Sequence, residues 1–196
     1  MKSSVIRLVL TIVIVILGYF IYTSLKEPIK FQKELLRRNK LVIAKLIDIR
    51  KSELLFKKFN NRYTGSFDTL LEFVRNCKIP IVKLKTGTKD VAFSKSCDTI
   101  GFVSLSDSIF GKKYKLEDMT NVPFSHGAKF LLKVGRIDKD GMSFTVFEAS
   151  TAYEVYLNGL DKQCISNMVQ GLNATNKFPG LKVGSLNEAS TAGNWE

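Results

Sequence analysis

The chain offers chemistry one histidine, three cysteines and two closely spaced aspartates, and no reaction needs them in the pattern they form. His126 stands in Phe124-Ser125-His126-Gly127. A nucleophilic pair requires a base that faces the hydroxyl and a carboxylate that orients the base. Ser125 is the chain neighbour of His126 and cannot easily face its imidazole. A histidine on a loop or edge strand is expected instead. Asp138, Asp140 and Gly141 imitate the opening of a calcium loop, but the later ligands and the closing bidentate glutamate are missing. A hairpin turn accounts for all three. Gly87, in Lys85-Thr86-Gly87-Thr88-Lys89, lacks the glycine spacing of a phosphate cradle and reads as a turn.

Cys77, Cys97 and Cys164 follow no zinc spacing and have no histidine nearby. In an oxidising compartment Cys77 and Cys97 are a candidate disulfide; in a reducing one all three are small buried hydrophobes. Trp195 is either a partner contact or an aromatic that docks on its own domain. No catalytic, metal or cofactor site is expected, and the chain reads as non-enzymatic.

The elements that would position these residues begin with an apolar run, Leu8 to Tyr22, which carries no charge. With Val5, Ile6 and Arg7 it reaches the lower limit of roughly 17 residues for a spanning helix. Arg7 would snorkel to the headgroups, and Tyr19, Phe20 and Tyr22 suit an interfacial belt. A cleaved signal peptide should end on small residues at alternating positions, whereas a cut after Ser24 would leave Tyr22 two positions before it. An uncleaved anchor is therefore expected over residues 1–24.

Net charge is +12, and its distribution matters more than its size. Between Lys26 and Arg62 twelve Lys or Arg face four acids, whereas from Lys139 onward four lysines face six acids. A nucleic-acid binder would not concentrate charge this way, so no nucleic-acid partner is expected. Lys26, Lys30, Lys33, Arg37 and Arg38 are candidate contacts to anionic lipid headgroups; the alternative is a solvated helix face.

From Leu25 to about Phe59 the chain has no glycine, and Pro28 falls where it leaves the membrane. Apolar residues recur at Leu35, Val42, Leu46, Ile49 and Phe56, with a neighbouring row at Ile29, Leu36 and Ile43. This doubled row predicts a long amphipathic helix over 25–60 that packs on the chain's own domain; the seven-residue spacing leaves a coiled coil as the alternative, though the stripe is wider than a strict seam. A domain over 61–196 follows. Ser66 is placed to cap a helix from Phe67 to Asn76. Ile79 to Thr86 reads as a strand, with weaker strands at Val91 to Phe93 and Gly101 to Leu105. An irregular connector, Tyr114 to Phe124, leads to a hairpin. Its strands are Lys129 to Ile137 and Met142 to Ala149, with Asp138 to Gly141 as the turn. A third strand is expected at Thr151 to Leu157, then a helix capped by Asp161 and ending near Asn173. The tail from Lys177 shows no periodic signal. The sum is an α+β fold in which an N-terminal transmembrane helix continues into a long amphipathic helix on a small antiparallel sheet.

This order of parts resembles type IV pilins and type II secretion pseudopilins. Ile49 to Leu70, through Asn60-Asn61-Arg62-Tyr63-Thr64 and Ser66-Phe67-Asp68-Thr69-Leu70, is similar to the family's end of first helix, its Asn-Gly-Arg/Lys-Tyr-Pro turn and its Ser-Leu-Asp-x-Leu helix. The family's processing signal, a glycine followed by Phe-Thr-Leu-x-Glu, has no counterpart in Lys2 to Leu10, and Thr64 stands where proline is usual. The resemblance implies a bacterial inner-membrane protein with a periplasmic domain, a structural or assembly component of the cell envelope. Its partners would be the bilayer and other envelope proteins or further copies of itself. The excess of cations after the span pulls toward a cytoplasmic domain, but that rule is a statistical bias and the periplasmic side is expected. Asp68-Thr69-Leu70, Asp98-Thr99-Ile100 and Asp107-Ser108-Ile109 also resemble bacterial O-glycosylation acceptors. The alternative is a membrane-tethered module that binds a small molecule, glycan or peptide on a sheet face.

Overall fold

The computed structural model describes residues 2–84, 97–111, 114–139 and 141–196. One helix, α1 (Lys2–Asn60), takes up the first 59 residues and runs through Pro28 without interruption. At 1.5 Å per residue it is a rod of about 88 Å. Pro28 deprives the Ser24 carbonyl of its intrahelical donor. From Ile6 to Tyr22 every residue of α1 is exposed, and its most apolar 18-residue window has a mean hydropathy of 2.4 with none of it buried. The helix is thus long and apolar enough to cross a membrane.

Beyond Phe31 the character of α1 changes, because one face finds a core. Leu35, Val42, Leu46, Ile49 and Phe56 are all buried, as the apolar spacing requires. The helix ends at Asn61, whose left-handed conformation (φ 55°) lets its N–H reach the Lys57 carbonyl at 2.8 Å. Thr64 N–H then donates to Oε2 of Glu53 at 3.1 Å, and Tyr63 turns inward to meet Phe147 with ring centroids 4.7 Å apart. The chain is thereby brought back onto the sheet.

The helix α2 (Phe67–Asn76) has the expected bounds and buries Leu70 and Val74, although the Ser66 side chain makes no capping bond. Two strands, β1 (Lys78–Leu84) and β2 (Cys97–Ser104), pair antiparallel, and α3 (Leu105–Ile109) follows. The second weak strand therefore begins earlier than expected, and Leu105 starts a helix. The expected strand at Val91 to Phe93 lies outside the described residues, as do Thr86 and Gly87. The connector contains a 3-10 turn, Leu116–Met119, which buries Leu116 and Met119 against α1 and α2.

The main sheet has three antiparallel strands in the order β3 (Leu131–Lys139), β4 (Met142–Ala152) and β5 (Gly180–Gly184). Between β4 and β5 come α4 (Tyr153–Tyr156) and α5 (Lys162–Ala174). The inner face of this sheet, with Leu132, Phe147, Ala149, Leu181 and Val183, packs on the buried stripe of α1. A long apolar helix followed by a small antiparallel sheet is compatible with a pilin-like fold.

Three expectations are corrected. Lys139 pairs with Met142, so the hairpin loop is two residues and Asp138 belongs to β3, opposite Ser143. Thr151 to Leu157 is not a third strand: Thr151 and Ala152 finish β4, and Tyr153 begins a helical turn. The third strand comes from the tail, where glycines and a proline masked a short Leu-Lys-Val run. Both bounding glycines are required by contact. A Cβ on Gly180 would lie 2.2 Å from the Thr151 carbonyl oxygen, and one on Gly184 (φ +77°) 2.2 Å from that of Phe147.

Candidate functional site

The residues singled out by chemistry are dispersed. His126 is exposed at the tip of a tight loop that spans Val122 to Ala128, whose N–H and C=O pair at 2.8 Å. The Ser125 hydroxyl is taken by the carbonyls of Val122 (2.6 Å) and Ala128 (3.2 Å), not by the imidazole. Asp138 is held in the ladder, and Asp140 lies outside the described residues. Among the described residues no three His, Cys, Asp or Glu side chains converge.

The Cys77–Cys97 bridge does not fit the sheet. Cys77 precedes β1 and its carbonyl accepts from Leu105 N, whereas Cys97 stands opposite Leu84 at the other end of the ladder. Seven strand residues separate the two ends, about 20 Å. A disulfide tolerates roughly 4.4–6.8 Å between Cα atoms. Cys77 and Cys164 are free thiols, both half-buried, and the side chain of Cys97 lies outside the described residues.

The five candidate lipid contacts divide into two groups. Lys26, Lys30 and Lys33 are exposed, with Lys26 Nζ 5.6 Å from the Tyr22 ring centroid. The two arginines are engaged within the protein. Arg37 and Arg38 converge on Glu34, whose carboxyl is held down at about 2 by its hydrogen bonds to Arg37 and then Arg38. Arg38 goes further, donating to the carbonyl oxygens of Tyr156 (2.8 Å) and Asn158 (3.0 Å). Both guanidinium carbons lie 4.9 Å from the Phe124 ring centroid. Phe124 itself adopts a left-handed backbone (φ 63°) to reach them. Arg38 thus clamps α1 to the end of α4.

Trp195 docks. Its ring packs on the core and lies over Gly193, where a Cβ would come within 2.4 Å of it. The segment around it adds to the outer edge of β5, with Gly193 bridged to Val183 and Asn194 N–H donating to the Lys182 carbonyl. Trp195 is thus held within the chain, half-buried.

One buried side chain had no reading in the sequence. Glu53 is completely buried in α1; Oε2 takes the Thr64 N–H, while Oε1 has no partner among the described residues. Burial pushes its carboxyl up to about 8, against the lesser effect of the Thr64 bond. Its position in the apolar stripe, between Ile49 and Phe56, was the available signal. The neighbouring apolar row at Ile29, Leu36 and Ile43 extends on α1 to Ile47 and Leu54. Ile29 and Leu36 are 66% and 60% exposed, Ile43 and Ile47 are half-buried, and Leu54 is 41% exposed. At helical spacing these five form a flank beside the buried stripe, and no part of the described domain covers its ends.

Of the acceptor-like hydroxyls, Thr69 and Ser108 are exposed, and the side chain of Thr99 lies outside the described residues. Compared with protein-family models, curated proteins and solved structures, the chain matches none.

Proposed function

We propose that this chain is a single-pass, membrane-anchored, pilin-like structural component that helps assemble a machine of the bacterial cell envelope, without enzymatic activity. The part of α1 from Leu8 to Tyr22 serves as the inner-membrane anchor. Lys26, Lys30 and Lys33 meet anionic headgroups, each worth about 1 kcal/mol near the surface. The domain stands in the periplasm on the basic half of α1.

The observation that carries this reading is the uncovered row of Ile29, Leu36 and Leu54 on the same helix that holds the membrane segment. Apolar residues at heptad-like spacing, left exposed on a rod, are surface kept for another helix. Anchor and rod are one mechanical unit, so a neighbour that packs on the row is oriented by the membrane. In bacterial membranes the protein should resist alkaline carbonate extraction. Added protease should reach the Trp195 region in intact spheroplasts; protection there would overturn the periplasmic orientation, and carbonate extraction would overturn the anchor.

A further inference from the structure

The edge of β4 is unevenly covered. The strand runs from Met142 to Ala152, but β5 pairs only with Glu148 to Ala152. The Thr151 and Phe147 carbonyl oxygens face β5, as their approach to Gly180 and Gly184 requires. Main-chain groups change side at each residue of a strand. The N–H and C=O of Thr145 and Ser143 therefore face the same way, beyond the end of β5. Among the described residues, no backbone or side-chain hydrogen bond reaches them from that side.

After Gly184 the chain leaves the ladder and rejoins β5 only at Ala192, whose carbonyl accepts from Gly184 N. Between these points Ala189, Ser190 and Thr191 pass the β4 edge without bonding to it. They leave a cleft of about 140 Å³ against Thr145 to Phe147, with Lys57 and Tyr63 at its side. Lys57 Nζ lies 4.6 Å from the Tyr63 ring centroid and has no carboxylate partner among the described residues.

The two outer stretches of the sheet differ in how they treat this exposure. The edge strand β3 carries Lys133, Arg136 and Lys139, the charges that discourage pairing. Met142 to Phe147 reads Met-Ser-Phe-Thr-Val-Phe, with no charge, no proline and no glycine. Met142 and Phe144 are exposed on one face. An unpaired, neutral, β-prone edge is a template for an added strand.

We propose that the β4 edge from Met142 to Phe147 receives an extended, acidic segment of a partner polypeptide, which adds to the sheet as a strand. Main-chain donors and acceptors select an extended backbone over a helix or a small molecule. Met142 and Phe144 contact alternate side chains of the guest, and Lys57 receives its carboxylate. A second copy of this chain is the poorer guest, because each copy carries net charge +12 and would bring its own Lys57 to the seam. This inference is independent of the reading of the α1 row.

The test uses the full chain in detergent and a fluorescent decapeptide that alternates valine and threonine between terminal aspartates. Fluorescence anisotropy should show saturable binding, weakened at least tenfold when alternate peptide amides are N-methylated or the aspartates are replaced by lysine. T145P removes an N–H that faces away from β3, so the fold is retained and binding should also fall at least tenfold; a proline is tolerated at such an edge. If T145P fails to fold by thermal unfolding, the N-methylated peptide carries the test alone. No binding up to 1 mM peptide, or binding indifferent to N-methylation, overturns the proposal. A T145P-sensitive dimer in sedimentation would identify a second copy as the guest and overturn the choice of partner.

Discussion

Arg50 Nη1 lies 2.7 Å from Oε1 of Glu196 and 3.3 Å from the carbonyl oxygen of Thr191, so one side chain of α1 holds the segment that closes the sheet. Trp195 sits inside that clasp, and it is the single tryptophan of the chain. Its fluorescence therefore reports the clasp directly.

R50A should shift the Trp195 emission maximum to the red and speed amide exchange from Ala192 to Glu196. The Arg50 hydrogen bond holds the Glu196 carboxyl below its usual range. A depressed folded pKa stabilises above the unfolded value and is lost as pH falls through the folded one. Acidification of the unaltered protein should reproduce the red shift, and R50A should lose that acid response. Equal emission in the two proteins at neutral pH would contradict the clasp.

Glu53 should make stability fall as pH rises. Its folded pKa, about 8, lies above its ordinary value of 4.5. The folded state thus binds the extra proton between these values, and each step up in pH costs stability until about pH 8. The total is on the order of 3–5 kcal/mol. E53Q keeps an acceptor for Thr64 N–H and removes the titration. Thermal unfolding from pH 5 to 9 should decline for the unaltered chain and stay nearly level for E53Q from this source; parallel curves would contradict the assignment.

Arg38 and Lys30 should separate structure from surface. R38A abandons two carbonyl oxygens and the Phe124 ring, and should cost about 2 kcal/mol. R38K should rescue little, because an ammonium cannot reproduce the planar fork. K30A should leave stability within about 0.5 kcal/mol. Denaturant unfolding of the three variants checks this, and equal midpoints for R38A and K30A would contradict it.

What could be read from the chain follows the range of the interactions concerned. The α1 stripe was legible because Leu35, Val42, Leu46, Ile49 and Phe56 repeat with the helix itself. Asp161 was legible because a cap is local: its Oδ1 accepts from Cys164 N at 2.8 Å. The role of Arg38 was not, since its partners lie 118 and 120 residues away. The β5 strand was hidden because Gly180 and Gly184 look like loop residues until β4 is in place to demand them. Trp195 gave notice that it would matter, but only the Gly193 contact tells where.

The β5 glycines supply a further prediction. G180A or G184A forces a Cβ against main-chain oxygen and should cost about 3 kcal/mol. G141A also meets a positive φ (+76°) but open space, and should cost about 1 kcal/mol. Thermal unfolding ranks them; G141A equal to or worse than G184A would contradict the close approach of β5 to β4.

The central claim, that α1 keeps an apolar row for another helix, is tested most directly by photo-crosslinking in intact bacterial membranes. A photoreactive residue at Leu36 or Leu54 should give discrete adducts above the monomer mass, while the same residue at Lys30, exposed and roughly 120° around the helix from Leu36, should give markedly fewer. Monomer alone from Leu36 and Leu54, or equal adducts from all three positions, would contradict it.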